Sequence, residues 1–61
     1  MRYEIIVWND KVAYTLTEEF WSDKSAIDFA KTRAHSDNNV RLYSCREKRD
    51  IYVHHAQVQT I

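Results

Sequence analysis

The chain contains neither glycine nor proline among its 61 residues. Average usage of about 7% and 5% would give roughly seven such residues together in a chain of this length. Glycine supplies the backbone freedom that phosphate-binding loops, dinucleotide-binding turns and nucleophile elbows require. The sequence therefore excludes all three of these motifs.

Cysteine is limited to Cys45, and neither sign of charge is in excess. A lone cysteine cannot form an internal disulfide, which favours a reducing compartment. Nine Lys and Arg balance nine Asp and Glu, so the chain lacks the surplus of cations with which general nucleic-acid binders displace counterions.

Long hydrophobic runs are also missing. The longest, Ile5-Ile6-Val7-Trp8, is far shorter than the roughly 18 residues of a membrane span, and the first residues lack the apolar stretch of a signal peptide. We therefore expect a cytoplasmic protein that makes no contact with membranes.

The residues that are present predict one folded domain over residues 1–61, since 44% are hydrophobic and 30% charged. Residues 2–8 and 12–16 alternate as strands do, and Asn9-Asp10 provides turn chemistry without glycine. A two-residue turn then places three pairs on one face: Val7 with Val12, Ile5 with Tyr14, and Tyr3 with Leu16.

A helix is predicted from Ser22, a favourable N-cap, to about His35. Its small apolar residues recur at helical spacing and suit close packing on a sheet. These residues are Ala26, Ile27, Ala30 and Ala34. We expect the Asn-rich segment 36–39 to end the helix, with an asparagine in the left-handed region.

A second hairpin is predicted from strands 40–46 and 51–56 around the polar turn 47–50. With Cys45 opposite Tyr52, Ser44 faces Val53, Tyr43 faces His54, and Leu42 faces His55. Residues 57–61 would extend the last strand or fray. The predicted fold is α+β: one antiparallel sheet with elements ββαββ in strand order 2-1-3-4, and the helix packed on one face.

The expected core combines the inner faces of the two hairpins with the apolar stripe of the helix. It comprises Tyr3, Ile5, Val7, Val12, Tyr14, Leu16, Ile27, Ala30, Leu42 and Val53.

Residues capable of chemistry are few. His54 and His55 are adjacent on a predicted strand and therefore point to opposite faces, so they cannot share one metal ion. Cys45 would lie near His54 on the outer face, but a sheet covered by one helix offers little concavity for an oxyanion hole. We expect no enzyme activity, no metal and no cofactor.

The sheet face that the helix leaves uncovered is unusually aromatic in this register. Trp, Tyr and Arg are the residue types enriched at binding hot spots, and an uncovered patch of them marks an interaction site. The predicted protein-binding residues are Ile6, Trp8, Arg41, Tyr43, Tyr52 and His54. Such a face would serve either a protein partner or a homodimer in which two copies stack their sheets.

A nucleic-acid-binding or regulatory role is the alternative. Basic residues crowd the second turn beside aromatic rings on which bases stack. The residues concerned are Arg41, Tyr43, Arg46, Lys48, Arg49 and Tyr52. A basic turn that simply faces solvent would have the same composition.

The order of hairpin, Ser-capped helix (Ser22-Asp23-Lys24-Ser25-Ala26-Ile27) and closing strand (Val40-Arg41-Leu42-Tyr43) resembles small phage-encoded early proteins. The resemblance spans roughly residues 3–46 and is one of architecture and size. It implies a protein that binds and inhibits a host enzyme, such as RNA polymerase or a defence nuclease. It assigns a function to no individual residue.

Overall fold

The computed structural model describes residues 1–57 and confirms the predicted fold. Within residues 1–57, four antiparallel strands form one sheet in the order β2-β1-β3-β4, and a single helix lies between the two hairpins in sequence. The elements are β1 (Arg2–Trp8), β2 (Ala13–Glu19), α1 (Asp23–Lys31), β3 (Asn39–Ser44) and β4 (Arg49–His54).

The first hairpin keeps its predicted faces but not its predicted pairs. Val7 lies opposite Tyr14, and Ile5 lies opposite Leu16, so the predicted register is wrong by two residues. The Asn9 side chain explains the longer connection, because its Oδ1 accepts the N–H groups of Lys11 and Val12 at 2.8 and 3.0 Å. This Asx-type turn closes the hairpin without glycine. It also displaces Val12, which leaves the predicted core and is 52% exposed.

The helix begins as predicted and ends earlier. The Ser22 hydroxyl oxygen accepts the N–H of Ser25, which caps the first turn. At the other end the Thr32 hydroxyl donates to the Phe29 carbonyl at 2.6 Å. Tighter i to i−3 bonds follow, so the helix stops at Lys31 rather than near His35. Ala26 and Ala30 are fully buried against the sheet.

The second hairpin differs most from the prediction. Leu42 lies opposite Tyr52 and not His55, a shift of three residues, and the pairing slips again beyond Leu42. Ile51 is the extra residue of this β-bulge. The turn is centred on residues 45–48, and Lys48 has a φ of 57°, the one positive φ among residues 1–57. The left-handed position therefore falls at a lysine, and not at an asparagine after the helix.

The core lies between the helix and the inner sheet face. It consists of Tyr3, Ile5, Val7, Ala26, Ala30, Val40 and Leu42, with the half-buried Leu16, Ile27, Phe29 and Ile51 packed around it. Tyr14 and Val53, both predicted in the core, are 40% and 44% exposed. The helix packs mainly over β3 and β4, which leaves the β2 side of the inner face open.

The predicted extension of the last strand over 57–61 lies outside the described residues except for Gln57. β4 ends at His54, and the Gln57 N–H donates to the Ser36 carbonyl at 2.7 Å. The Ala56 N–H donates to the Asn39 side chain. These bonds hold Ala56 against the start of β3 and Gln57 against the loop that follows the helix.

Candidate functional site on the outer sheet face

The outer face of the sheet is the side opposite the helix. In β1 and β3 its residues alternate with the buried Tyr3, Ile5, Val7, Val40, Leu42 and Ser44. The outer-face residues are Arg2, Glu4, Ile6, Trp8, Ala13, Thr15, Thr17, Glu19, Asn39, Arg41, Tyr43, Asp50 and Val53.

An apolar patch runs diagonally across this face. Trp8 lies opposite Ala13 on β2. Ile6 is two residues before Trp8 on β1, and Tyr43 on β3 is diagonal to Ile6. We call Ile6, Trp8, Ala13 and Tyr43 the outer patch. Ile6, Trp8 and Tyr43 are half-buried by their neighbours, so rigid strands position three large side chains that solvent still reaches.

One charged residue beside the outer patch, Arg41, is paired within the sheet. Arg41 makes a two-point contact with Asp50, Nε to Oδ2 at 3.1 Å and Nη2 to Oδ1 at 3.2 Å. The bidentate geometry fixes the guanidinium on Asp50, and the neighbours of Arg41 across the strands are Ile6 and Val53. Beyond Arg41, Val53 adds an exposed apolar side chain that the sequence prediction had placed inside.

Two of the six predicted protein-binding residues lie on the other face. Tyr52 lies opposite the buried Leu42, and His54 lies opposite the buried Val40. The odd-numbered shift in this part of β4 is the physical cause, because it turns over the side chains of residues 52–54. The His54 ring lies on the helix side, where its Nε2 donates to the His35 carbonyl at 3.0 Å in the Nε2–H tautomer.

The residues of the nucleic-acid alternative are not brought together as one surface. Tyr43 and Tyr52 occupy opposite faces, so bases cannot stack on both in one binding groove. Arg41 is paired with Asp50, and Arg49 lies 3.4 Å from Glu47. Arg46 and Lys48 remain as exposed cations of the turn.

Cys45 and His54 are not neighbours, contrary to the prediction. Cys45 follows β3 next to Arg2, whereas His54 ends β4 on the helix side. Among residues 1–57, no group of three or more His, Cys, Asp or Glu side chains is placed to hold a metal ion. A cleft of about 510 Å³ lies at the end of the sheet beside Asn9, Lys11 and Asp37.

Two exposed aromatic residues escaped the sequence prediction. Trp21 is 96% exposed. Its neighbour Phe20 covers one end of the core, with its ring centroid 5.8 Å from that of Tyr3 and 5.4 Å from that of Phe29. Tyr14 is the other, on the open part of the inner face. The pattern gave one signal: Trp21 directly precedes the N-cap, where the chain turns away from the sheet.

Comparisons of the chain with models of protein families, with curated proteins and with solved structures each found no match. Within the described part of the chain, α1 is too short to cross a membrane.

Proposed function

We propose that the protein is a non-catalytic binding module that holds a larger protein against its outer patch, and thereby sequesters or inhibits it. The observation that carries the proposal is the uncovered outer face itself. Its central strands present Ile6, Trp8 and Tyr43 to solvent, and rigid strands hold them in place. Half-buried aromatic residues that a rigid scaffold presents to solvent are the usual anchors of protein interfaces.

The charges of this face favour a protein over a nucleic acid. Arg41 is neutralised by Asp50, and Glu4 lies between Thr17 and Tyr43 beside the outer patch. A phosphate backbone would gain little from paired cations and would be repelled by Glu4. The chemistry that fits is an apolar or aromatic protein surface with few charges of its own.

The size of the face sets the expected strength of binding. Four strands about 4.8 Å apart and about seven residues long give a projected area of about 400 Å². A standard interface buries about 800 Å² on each partner. A single copy would therefore form a small interface, whose affinity depends on the few anchors in the outer patch.

Capture from cell extract with a matched pair of variants tests the proposal. Ile6→Lys adds a cation at the centre of the outer patch, and Tyr14→Lys adds the same cation on the opposite face. We expect wild type and Tyr14→Lys to retain a specific protein that Ile6→Lys loses. Retention should survive nuclease treatment and high salt, because an aromatic interface is little screened.

Two results would contradict the proposal. Captured material that disappears with nuclease or moderate salt would favour the nucleic-acid alternative. A protein that Ile6→Lys retains as well as wild type does would place the binding site elsewhere. Circular dichroism of each variant establishes that the fold is intact.

A further inference from the structure

We infer that the free edge of β2 pairs antiparallel with the same edge of a second copy of this chain, centred on Leu16. Strand β2 lies at one edge of the sheet and is exposed along its length, with Leu16 alone half-buried. The pairing would join two sheets of four strands into one of eight. It goes beyond the proposed function, since it uses an edge and not the outer patch.

The backbone groups that face outward follow from the bonds at the ends of the first hairpin. The Phe20 N–H donates to the Met1 carbonyl at 2.9 Å, and the Asn9 N–H donates to the Val12 carbonyl at 2.8 Å. Phe20 and Val12 therefore face β1, as do the even-numbered residues between them. The N–H and C=O groups of Ala13, Thr15, Thr17 and Glu19 consequently point away from the sheet.

β2 lacks the usual protection of an exposed edge. Proteins blunt edges with bulges, prolines and lysines. β2 keeps one register with β1 over all seven pairs, and residues 13–17 carry no charge. Each edge strand carries two charged residues at one end, Glu18 and Glu19 in β2 and Arg49 and Asp50 in β4, but β4 also carries a bulge at Ile51. The contrast points to β2 as the edge that is available for pairing.

The strand is complementary to itself in the register centred on Leu16. Each outward-facing residue then meets another: Ala13 faces Glu19 of the second copy, and Thr15 faces Thr17. All four outward-facing residues form bonds, and cross-strand Thr pairs are favourable. On the inner face Leu16 meets its own copy and Tyr14 meets Glu18. A register centred on Glu18 would instead place two like charges directly opposite.

This pairing covers apolar surface that the monomer leaves open. Leu16 is half-buried and Tyr14 is 40% exposed, because the helix packs over the other side of the sheet. The two-fold axis places Leu16 against Leu16 of the second copy, and Tyr14 of each copy lies on the same face beside this pair. The outer faces of the two copies also become one continuous surface, which doubles the area available to a partner.

Sedimentation velocity of variants with charges introduced along the β2 edge tests the inference. In Thr15→Lys/Thr17→Lys, each new lysine would face another across the axis, and Thr15→Glu/Thr17→Glu places glutamates likewise. These side chains are exposed on the outer face, so the monomer should tolerate both changes. We expect wild type to sediment as a dimer, each double variant as a monomer, and their equimolar mixture as a heterodimer.

Trp8→Glu is the control for the other way in which two copies could associate. It places a carboxylate in the outer patch and should leave the edge dimer intact. A wild type that remains monomeric at high concentration, or a dimer that Trp8→Glu dissociates, would overturn the inference. Double variants that stay dimeric would do so too, and a mixture that stays monomeric would contradict the Leu16-centred register.

Thr15→Pro provides a second test in case a double variant fails to fold. It removes an outward N–H that the monomer does not use, so β1 pairing persists while the dimer loses two hydrogen bonds, one from each copy. If circular dichroism shows a double variant unfolded, the same decision rests on Thr15→Pro. A folded monomer supports the edge dimer, and a folded dimer overturns it. Capture of a partner by the outer patch is measured separately, so the two proposals can fail independently.

Discussion

Tyr3 is the residue where the core meets a charged group. Its side chain is completely buried at the start of β1, and its hydroxyl donates to Asp23 Oδ1 at 2.6 Å. The hydrogen bond to Asp23, together with burial, raises the pKa of Tyr3 from 10.0 to about 12. The bond also joins the first strand to the first turn of the helix, so one phenol links the two layers.

The raised pKa predicts a specific loss of stability in alkali. Below pH 10 the phenol is protonated in both the folded and unfolded states, and its contribution is complete. As pH rises from 10 towards 12, the unfolded chain loses this proton first, so unfolding becomes more favourable. Tyr3→Phe should be less stable at neutral pH by about 1 kcal/mol. It should lose less additional stability than wild type between pH 10 and 12, as measured by urea unfolding. Parallel pH profiles would show that folding does not raise the pKa of Tyr3.

Asn9 replaces the glycine that a tight hairpin normally uses. Its Oδ1 accepts two backbone N–H groups, and its Nδ2 donates to Asn38 Oδ1 at 2.9 Å. Asn9→Ala should cost about 1 to 2 kcal/mol of unfolding free energy, because two backbone donors lose their partner. Asn9→Asp keeps the acceptor and should cost less. Equal losses from the two variants in chemical denaturation would assign the effect to the Asn38 contact instead.

At the scale of elements, the first hairpin and the second show what a pattern can predict. An error of two residues in β1–β2 leaves every side chain on its predicted face, so Ile6 and Trp8 are placed correctly. An error of three residues in β3–β4 reverses the faces, so Tyr52, Val53 and His54 are placed on the wrong side of the sheet. Alternation therefore identified the faces of β1 and β3, including Arg41 and Tyr43. It could not foresee a bulge at Ile51, because no residue type marks one.

The turn at Lys48 explains why the second register was hard to predict. A lysine with a φ of 57° is in the left-handed region, which costs about 1 kcal/mol or more for a residue with a Cβ atom. Lys48→Gly should relieve this cost, partly offset by greater freedom of the unfolded chain, for a net gain of up to about 1 kcal/mol. Lys48→Val should destabilise the protein. Thermal unfolding of the two variants measures this, and a glycine variant less stable than wild type would contradict the strained turn.

At the scale of the whole molecule, one thin core supports the entire fold. A chain of this length buries about 60% of the surface that its unfolded form exposes, less than larger domains do, and its stability is correspondingly marginal. Ile5 is fully buried at the centre of β1, whereas Val53 is 44% exposed at the edge. Ile5→Ala should cost about 2 to 5 kcal/mol and Val53→Ala far less. Thermal midpoints that shift equally would mean that the sheet faces are assigned wrongly.

The face opposite that core is where the molecule meets its proposed partner, and oxidative footprinting of side chains tests this most directly. Hydroxyl radicals label exposed aromatic rings, and the chain carries them on both faces. With the captured protein bound, we expect protection of Trp8 and Tyr43 on the outer patch, while Tyr14 and Trp21 keep the labelling that they show without it. Protection of Trp21 or Tyr14 with Trp8 and Tyr43 still labelled would contradict the outer patch as the binding site.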